Sequence, residues 1–326
     1  MRRVAWVAAV FLAAAGIVLY QGCLTGPPGL PGTSTPAFEL PYEHQKTLCS
    51  YGSEAGQLNQ PTDVAIDPQG NIYISDGLNH RIQRLTSAGA PLAQFGSRGS
   101  GAGQFNTPSS VAVDAQGNVY VADRYNHRIQ KFSPTGELLA QWGQEGSEEG
   151  NFREPQGIAI GPEGNVYVAD TGNNRIQKFS PSGQFLRAWG TWGDQPGQFK
   201  GPSAVAVDSS GNVYVADTYN SRIQRFNSSG VFDRQWGEHG SEYGQLYWPR
   251  GVAVDAQGNV YVADTGNSRV HKYSPNGVLL CLWGTRGSGP SDLDAPYGIA
   301  VDAAGLVYVA DYRNDRIQVF APPQQQ

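Results

Sequence analysis

The chain is poor in the residues that carry most enzyme chemistry. Its 326 residues include three cysteines, five histidines and one methionine. No Cys-x-x-Cys pair occurs, so a zinc ribbon or related cysteine-rich module is excluded. Gly-x-Ser-x-Gly, His-Glu-x-x-His and phosphate-loop patterns are absent as well. Charge is also scarce: 16% of residues are charged, the formal net charge is −5, and Lys and Arg form no run. That balance argues against a nucleic-acid partner. From residue 44 to the end, no segment shows the 3.6-residue apolar period of an amphipathic helix.

What the chain has in quantity is glycine (42), proline (21) and tyrosine (16). They are organised by a repeat of 47 residues that runs six times without insertion or deletion. Each copy is led by a proline: Pro61, Pro108, Pro155, Pro202, Pro249 and Pro296. An aspartate closes its central apolar run (Asp76, Asp123, Asp170, Asp217, Asp264, Asp311), and an arginine follows five residues later, from Arg81 to Arg316. A fixed period of this size indicates a repeat architecture in which each unit buries its faces against its neighbours.

In the third copy, short runs rich in Val, Ile, Tyr and Phe predict four strands, at 158–160, 165–169, 175–179 and 185–189. Turn clusters separate them. Asp114-Ala-Gln-Gly117-Asn118 is a tight hairpin with Gly at a positive φ, and Ser-Pro-x-Gly after Phe132 and Phe179 is a second turn. Val-Tyr-Val-Ala is apolar on both faces, as a strand buried on both sides requires. Six such units closed in a ring make an all-β, six-bladed β-propeller of four-stranded blades.

The run Val166-Tyr-Val-Ala-Asp-Thr-Gly-Asn-Asn-Arg-Ile-Gln-Lys-Phe179 closely resembles the NHL repeat, and the resemblance recurs in all six copies over roughly residues 44 to 320. The Gly-His and Trp-Asp marks of WD40 repeats are missing. NHL domains are six-bladed propellers, which agrees with the count. Some animal members bind RNA through a basic face, and others carry a RING zinc module. The acidic balance and the three cysteines give no ground for carrying either property over.

The last copy stops at Phe320-Ala-Pro-Pro-Gln-Gln-Gln and lacks a fourth strand. Residues 43–48, in step with Pro91–Phe95, are expected to pair with Arg316–Phe320 and complete blade six, which would also cover an open strand edge. The propeller then spans residues 43–320, with a short tail at 321–326.

The N-terminal segment differs in kind. Arg2 and Arg3 precede an apolar stretch from Val4 to Tyr20, read as a signal peptide or membrane anchor over residues 1–23. Tyr20-Gln-Gly-Cys23 looks like a bacterial lipoprotein processing site with Cys23 as the lipidated residue, although Tyr20 stands where Leu is usual. A lipoprotein, a retained anchor and another form of processing all place the propeller outside the cytoplasm, tethered to the cell envelope. Residues 24–42 form a Pro/Gly-rich linker. Cys49 and Cys281, on or beside outer strands of different blades, are expected to be free thiols.

Features present six times serve the fold first. The Asp-x-x-Asn-x-Arg hairpins are therefore read as structural braces on one face, the top face. His80 and His127, each just before a repeat arginine, are read as solvated turn residues. Departures from the repeat are the better candidates for function. The two residues after each leading proline are expected to rim the central channel, and there Asp63, Gln156, Arg250 and Tyr297 are distinctive. Trp248, Tyr312, Arg313 and Arg124 stand nearby in neighbouring loops. Tyr, Trp and Arg commonly anchor binding surfaces. The function expected is binding: a monomeric, membrane-tethered scaffold without a cofactor, presenting its top face to a protein, peptide or glycan of the envelope. The alternative is a metal-dependent hydrolase or lyase at the channel mouth, like enzymes of related six-bladed propellers; their site patterns have no residue-by-residue match here.

Overall fold

The computed structural model describes residues 38–323. Residues 1–37, including Cys23 and most of the expected linker, lie outside the described residues. The described chain forms six four-stranded antiparallel sheets. Blade three consists of Pro155–Ile160, Val166–Asp170, Arg175–Phe179 and Phe185–Trp189, close to the strands expected from sequence. The other blades repeat this order at the same spacing.

The sixth sheet is completed by the N-terminal strand Glu43–Leu48, which pairs antiparallel with Arg316–Ala321 from Glu43–Ala321 to Leu48–Ile317. The seam is therefore closed by hydrogen bonds between the two ends of the domain. Residues 38–42, at the end of the expected linker, reinforce it from blade five. Glu39 N–H donates to the Leu280 carbonyl, the Glu39 carboxylate lies 2.6 Å from Lys272 Nζ, and the Tyr42 ring stacks on Trp283 at 4.6 Å.

The core is divided into six wedges, one between each pair of adjacent blades. The second strand of every blade is buried along its whole length, as its two-faced apolar sequence requires. The hairpin at Asp114 has the expected chemistry: the Asp114 carboxylate accepts the Gln116 and Asn118 amides at 3.0 and 2.8 Å, and Gly117 sits at φ 82°.

One local feature shapes the channel. The inner strand of each blade starts at its proline, and its register shifts within the next two or three residues. Proline has no N–H to give the ladder, so a bulge there is tolerated, and bulges redirect the side chains beside them. The residues after each proline consequently line the central bore.

Candidate functional site

The repeated polar residues are fully occupied. Each repeat aspartate is 0% exposed and receives its arginine through Nε at 2.7–2.9 Å. Asp76 also accepts the Asn79 side-chain amide at 2.9 Å and the Asn59 backbone amide at 2.8 Å, and Arg81 spends its remaining donors on loop carbonyls and the Gln94 side-chain oxygen. A buried charge pair is tolerated when its hydrogen bonds are satisfied in this way, and nothing is left over for a ligand. The hairpins are braces.

The bore is lined from three successive positions of the inner strands: the apolar Val64, Val111, Ile158, Val205, Val252 and Ile299, and the two rings that precede them in sequence. The deeper ring is Asp63, Ser110, Gly157, Ala204, Gly251 and Gly298. Asp63 is its one ionisable member. Its Oδ2 accepts the Ser110 hydroxyl at 2.5 Å and the Val111 amide at 3.1 Å, so the carboxyl bridges blade one to blade two. On its other side is Gly298, where any Cβ would strike the carboxyl group. Burial pushes the Asp63 carboxyl up to about 7, against the opposing pull of the hydrogen bonds from Ser110, Val64 and Val111.

The outer ring, at the mouth, is Thr62, Ser109, Gln156, Ser203, Arg250 and Tyr297. Two of its hydroxyls tie blades together: Thr62 Oγ1 donates to the Pro108 carbonyl at 2.8 Å and Ser109 Oγ to Pro155 at 2.9 Å. In blades three, four and five a threonine in the top hairpin does the same work. Thr171, Thr218 and Thr265 donate to the carbonyls of Pro202, Pro249 and Pro296 at 2.7, 2.9 and 2.6 Å. Five junctions thus carry a hydroxyl latch on the next blade's proline, from one of two positions. Blade six has tyrosine at both, Tyr297 and Tyr312. Their rings stack at 4.1 Å and 9°, and the Tyr312 hydroxyl donates to Gln60 Oε1 at 2.6 Å.

The latches separate structural ring members from free ones. Thr62 and Ser109 are committed, and Ser203 bonds the Arg250 carbonyl at 3.2 Å. Gln156 and Arg250 make no side-chain hydrogen bond among the described residues, and neither does the Tyr297 hydroxyl. The Arg250 guanidinium lies over the Tyr297 ring at 4.9 Å and has no carboxylate within 4 Å among the described residues. Arg124 lines the same mouth but is paired with Glu154 at 2.7 Å. Burial, then Tyr297, raises the Tyr312 hydroxyl pKa, while Arg250, Arg124 and Arg313 pull it down, which places three guanidinium groups about one ring.

The structure therefore brings Arg124, Gln156, Arg250 and Tyr297 to one mouth, with Tyr312 stacked behind Tyr297 and Asp63 one layer deeper. Trp248 and Arg313 are not in that lining. Trp248 packs on Tyr247 at 4.5 Å and remains 42% exposed. Its φ of 52° is a property of the repeat, since Gln60, Thr107, Glu154, Gly201 and Ala295 share it. Arg313 lies on the top face, 3.6 Å from Asp294.

The histidine reading needs correction. His80 and His127 are half-buried brackets between blades, their Nδ1 atoms each accepting a backbone amide of the next blade, Thr107 and Glu154, at 3.0 Å. The same position holds Asn174, which accepts Gly201 N–H, and Asp315, which accepts Gln60 N–H. A side-chain acceptor at that position was visible in the repeat alignment; its partner, 27 residues on in the next loop, was not. His271 is wholly buried where the five other blades place glutamine, and burial lowers its pKa. Cys49 and Cys281 are free thiols, each pushed up to about 12 by burial, so neither is a ready nucleophile. Among the described residues no three His, Cys, Asp or Glu side chains converge as metal ligands would.

The NHL repeat profile matches residues 58–85, 105–132, 152–179, 199–226, 246–273 and 293–320. A search of curated protein sequences finds no match. Solved structures with a similar fold include a gluconolactonase from Xanthomonas campestris, 12% identical, covering 89% of this chain and 99% of that one at a TM-score of 0.61. They also include an auxiliary nutrient binding protein from Bacteroides ovatus, 16% identical over 89% and 76% of the two chains at 0.62. A third is virginiamycin B lyase from Staphylococcus aureus, 14% identical over 82% and 98% at 0.59. At these identities the likeness is one of fold.

Proposed function

The chain belongs to the NHL repeat family, and on that footing we propose that it is a binding protein, tethered to the cell envelope and presenting the top face of its propeller to a protein, peptide or glycan outside the cytoplasm. The observation that carries the reading is the mouth of the bore. There, Gln156, Arg250 and Tyr297 keep unengaged polar ends, while the repeated Asp, Asn and Arg side chains are consumed by the fold. The exposed ring of Trp248 extends the surface beyond the mouth. Rigid blades hold these groups in place before a ligand arrives, which lowers the ordering cost of binding.

The alternative, a metal-dependent hydrolase or lyase at the mouth, calls for three or four converging ligand groups. The described residues offer no such set, and the fold shared with a lyase and a lactonase hosts binding as readily as catalysis. The test is crosslinking of the full-length protein in its native envelope, followed by mass spectrometry, with wild type and a Trp248→Ala/Arg250→Ala double variant. The double variant is expected to lose the captured partner while melting as wild type does. Capture that survives both substitutions would remove this face from consideration.

A further inference from the structure

Among the described residues, the mouth holds one cation with no counter-charge. Arg124 is neutralised by Glu154 at 2.7 Å, and Arg313 faces Asp294 at 3.6 Å. Arg250 has no acidic partner within 4 Å among the described residues, and it has no structural duty either, because Thr265 already latches Pro296 for its blade. Its guanidinium is nevertheless positioned. It lies on Tyr297, which stacks on Tyr312, which is tied through its hydroxyl to Gln60 of blade one. A guanidinium held over an aromatic ring and making no hydrogen bond of its own keeps its N–H donors free, and their fork matches a planar two-oxygen acceptor.

We propose that the channel mouth binds a carboxylate, received by the Arg250 guanidinium between Gln156 and Tyr297. This rests on the reading of the mouth as a binding site and names what it takes. Of the unengaged groups the Arg250 guanidinium can only donate, while the Gln156 amide and the Tyr297 hydroxyl can both give and accept. The donor-only, charged guanidinium suits an acceptor-only carboxylate better than a neutral sugar, whose hydroxyls must also donate. The mouth's own hydroxyls at Thr62 and Ser109 have already given their protons to proline carbonyls. A single unpaired cation, with Arg124 already neutralised by Glu154, suits a monoanion rather than a phosphate dianion. The mouth is open to solvent, so a small acid or the end of a chain can reach it. The carboxylate therefore comes either from a free organic acid or from a terminal uronic acid of a glycan.

The experiment is calorimetric titration of the full-length protein with acetate, glucuronate, glucose and inorganic phosphate, repeated on Arg250→Gln and Arg250→Lys. Wild type is expected to bind a carboxylate and to ignore glucose. Arg250→Gln should weaken it by roughly ten- to a hundredfold, the worth of a charged hydrogen bond. Arg250→Lys should recover only part, since the charge returns without the fork. Binding of acetate and glucuronate alike would identify a free acid; binding of glucuronate alone would identify a glycan end. Unaltered melting of the variants guards against unfolding as the cause. Equal binding of glucose, preference for phosphate, or wild-type affinity in Arg250→Gln would overturn the proposal. Silence toward every carboxylate, with envelope crosslinking still lost in the Trp248/Arg250 double variant, would sink the carboxylate and spare the binding reading. Silence in both would sink both.

Discussion

Replacing Asp63 with asparagine should stabilise the propeller, and increasingly so as pH rises. The Asp63 carboxyl sits in the bore with its pKa pushed up to about 7 by burial. Unfolded, an aspartate ionises near 3.9. Between those values the native state holds a proton that the unfolded state has released. Stability therefore falls as pH climbs through that window and levels off above it. The shift spans about three pH units, so the cost reaches at most about 4 kcal/mol, less whatever relief the water in the bore provides. Asparagine keeps a carbonyl oxygen for the Ser110 hydroxyl and the Val111 amide and does not titrate. Urea midpoints of the two proteins should thus nearly coincide at pH 4 and separate steadily to pH 8, with the variant ahead. Taking the difference cancels the other carboxylates, including the six braced aspartates. If the two pH profiles run parallel, Asp63 is ionised in the native bore and the desolvation argument is wrong.

Removing residues 1–48 rather than 1–37 deletes both the Tyr42 clasp and the closing strand; the melting temperature should drop sharply, and calorimetry showing equal values would refute closure by this strand. His271→Gln should flatten the acid limb of stability. A folded-state histidine pKa held below its unfolded value contributes stability above the unfolded pKa of about 6.5 that is lost as pH falls through it, so the variant should gain at pH 5 relative to pH 7.5 in thermal melts. Thr265→Val should cost about 1–3 kcal/mol, since the buried Pro296 carbonyl loses its donor. Thr218→Val should cost less, because Ser203 also reaches the Pro249 carbonyl, at 3.4 Å; equal losses in urea unfolding would count against the latch.

The blade count, the strands of each blade and the closing strand were legible because they rest on local rules. Apolar strands such as Val166–Asp170, Gly at Gly117 and a proline at each inner strand speak through near neighbours in sequence. Register at a fixed period also placed Asp63, Gln156, Arg250 and Tyr297 around one bore. Less legible were contacts made between blades. The latch from Thr171 to Pro202 spans 31 residues, and the bracket from His80 to Thr107 spans 27. A trace of the latch was present in the repeats, since Gly77 and Arg124 replace threonine in the two blades where Thr62 and Ser109 stand in for it. Asp63 looked like a rim residue, but whether its carboxyl faces the mouth or bridges to Ser110 depends on the bulge after Pro61.

The seam explains why departures from the repeat gather where they do. Five blade junctions depend on a hydroxyl latch near the channel, so in each of them one of two positions, the mouth residue or the first hairpin residue, is constrained by the next blade's proline carbonyl. The sixth junction is held by other means: the strand Glu43–Leu48, whose Leu48 packs in the wedge between blades six and one, and the bonds between Gln60 and the side chains of Asp315 and Tyr312. Held from its rim, that junction frees the inner positions of blade six from the latch. Tyr297 and Tyr312 occupy both without loss of closure, and they form the platform on which Arg250 lies. Joining the two ends of the domain thus leaves, in an otherwise uniform ring, one place where side chains answer to something other than the repeat.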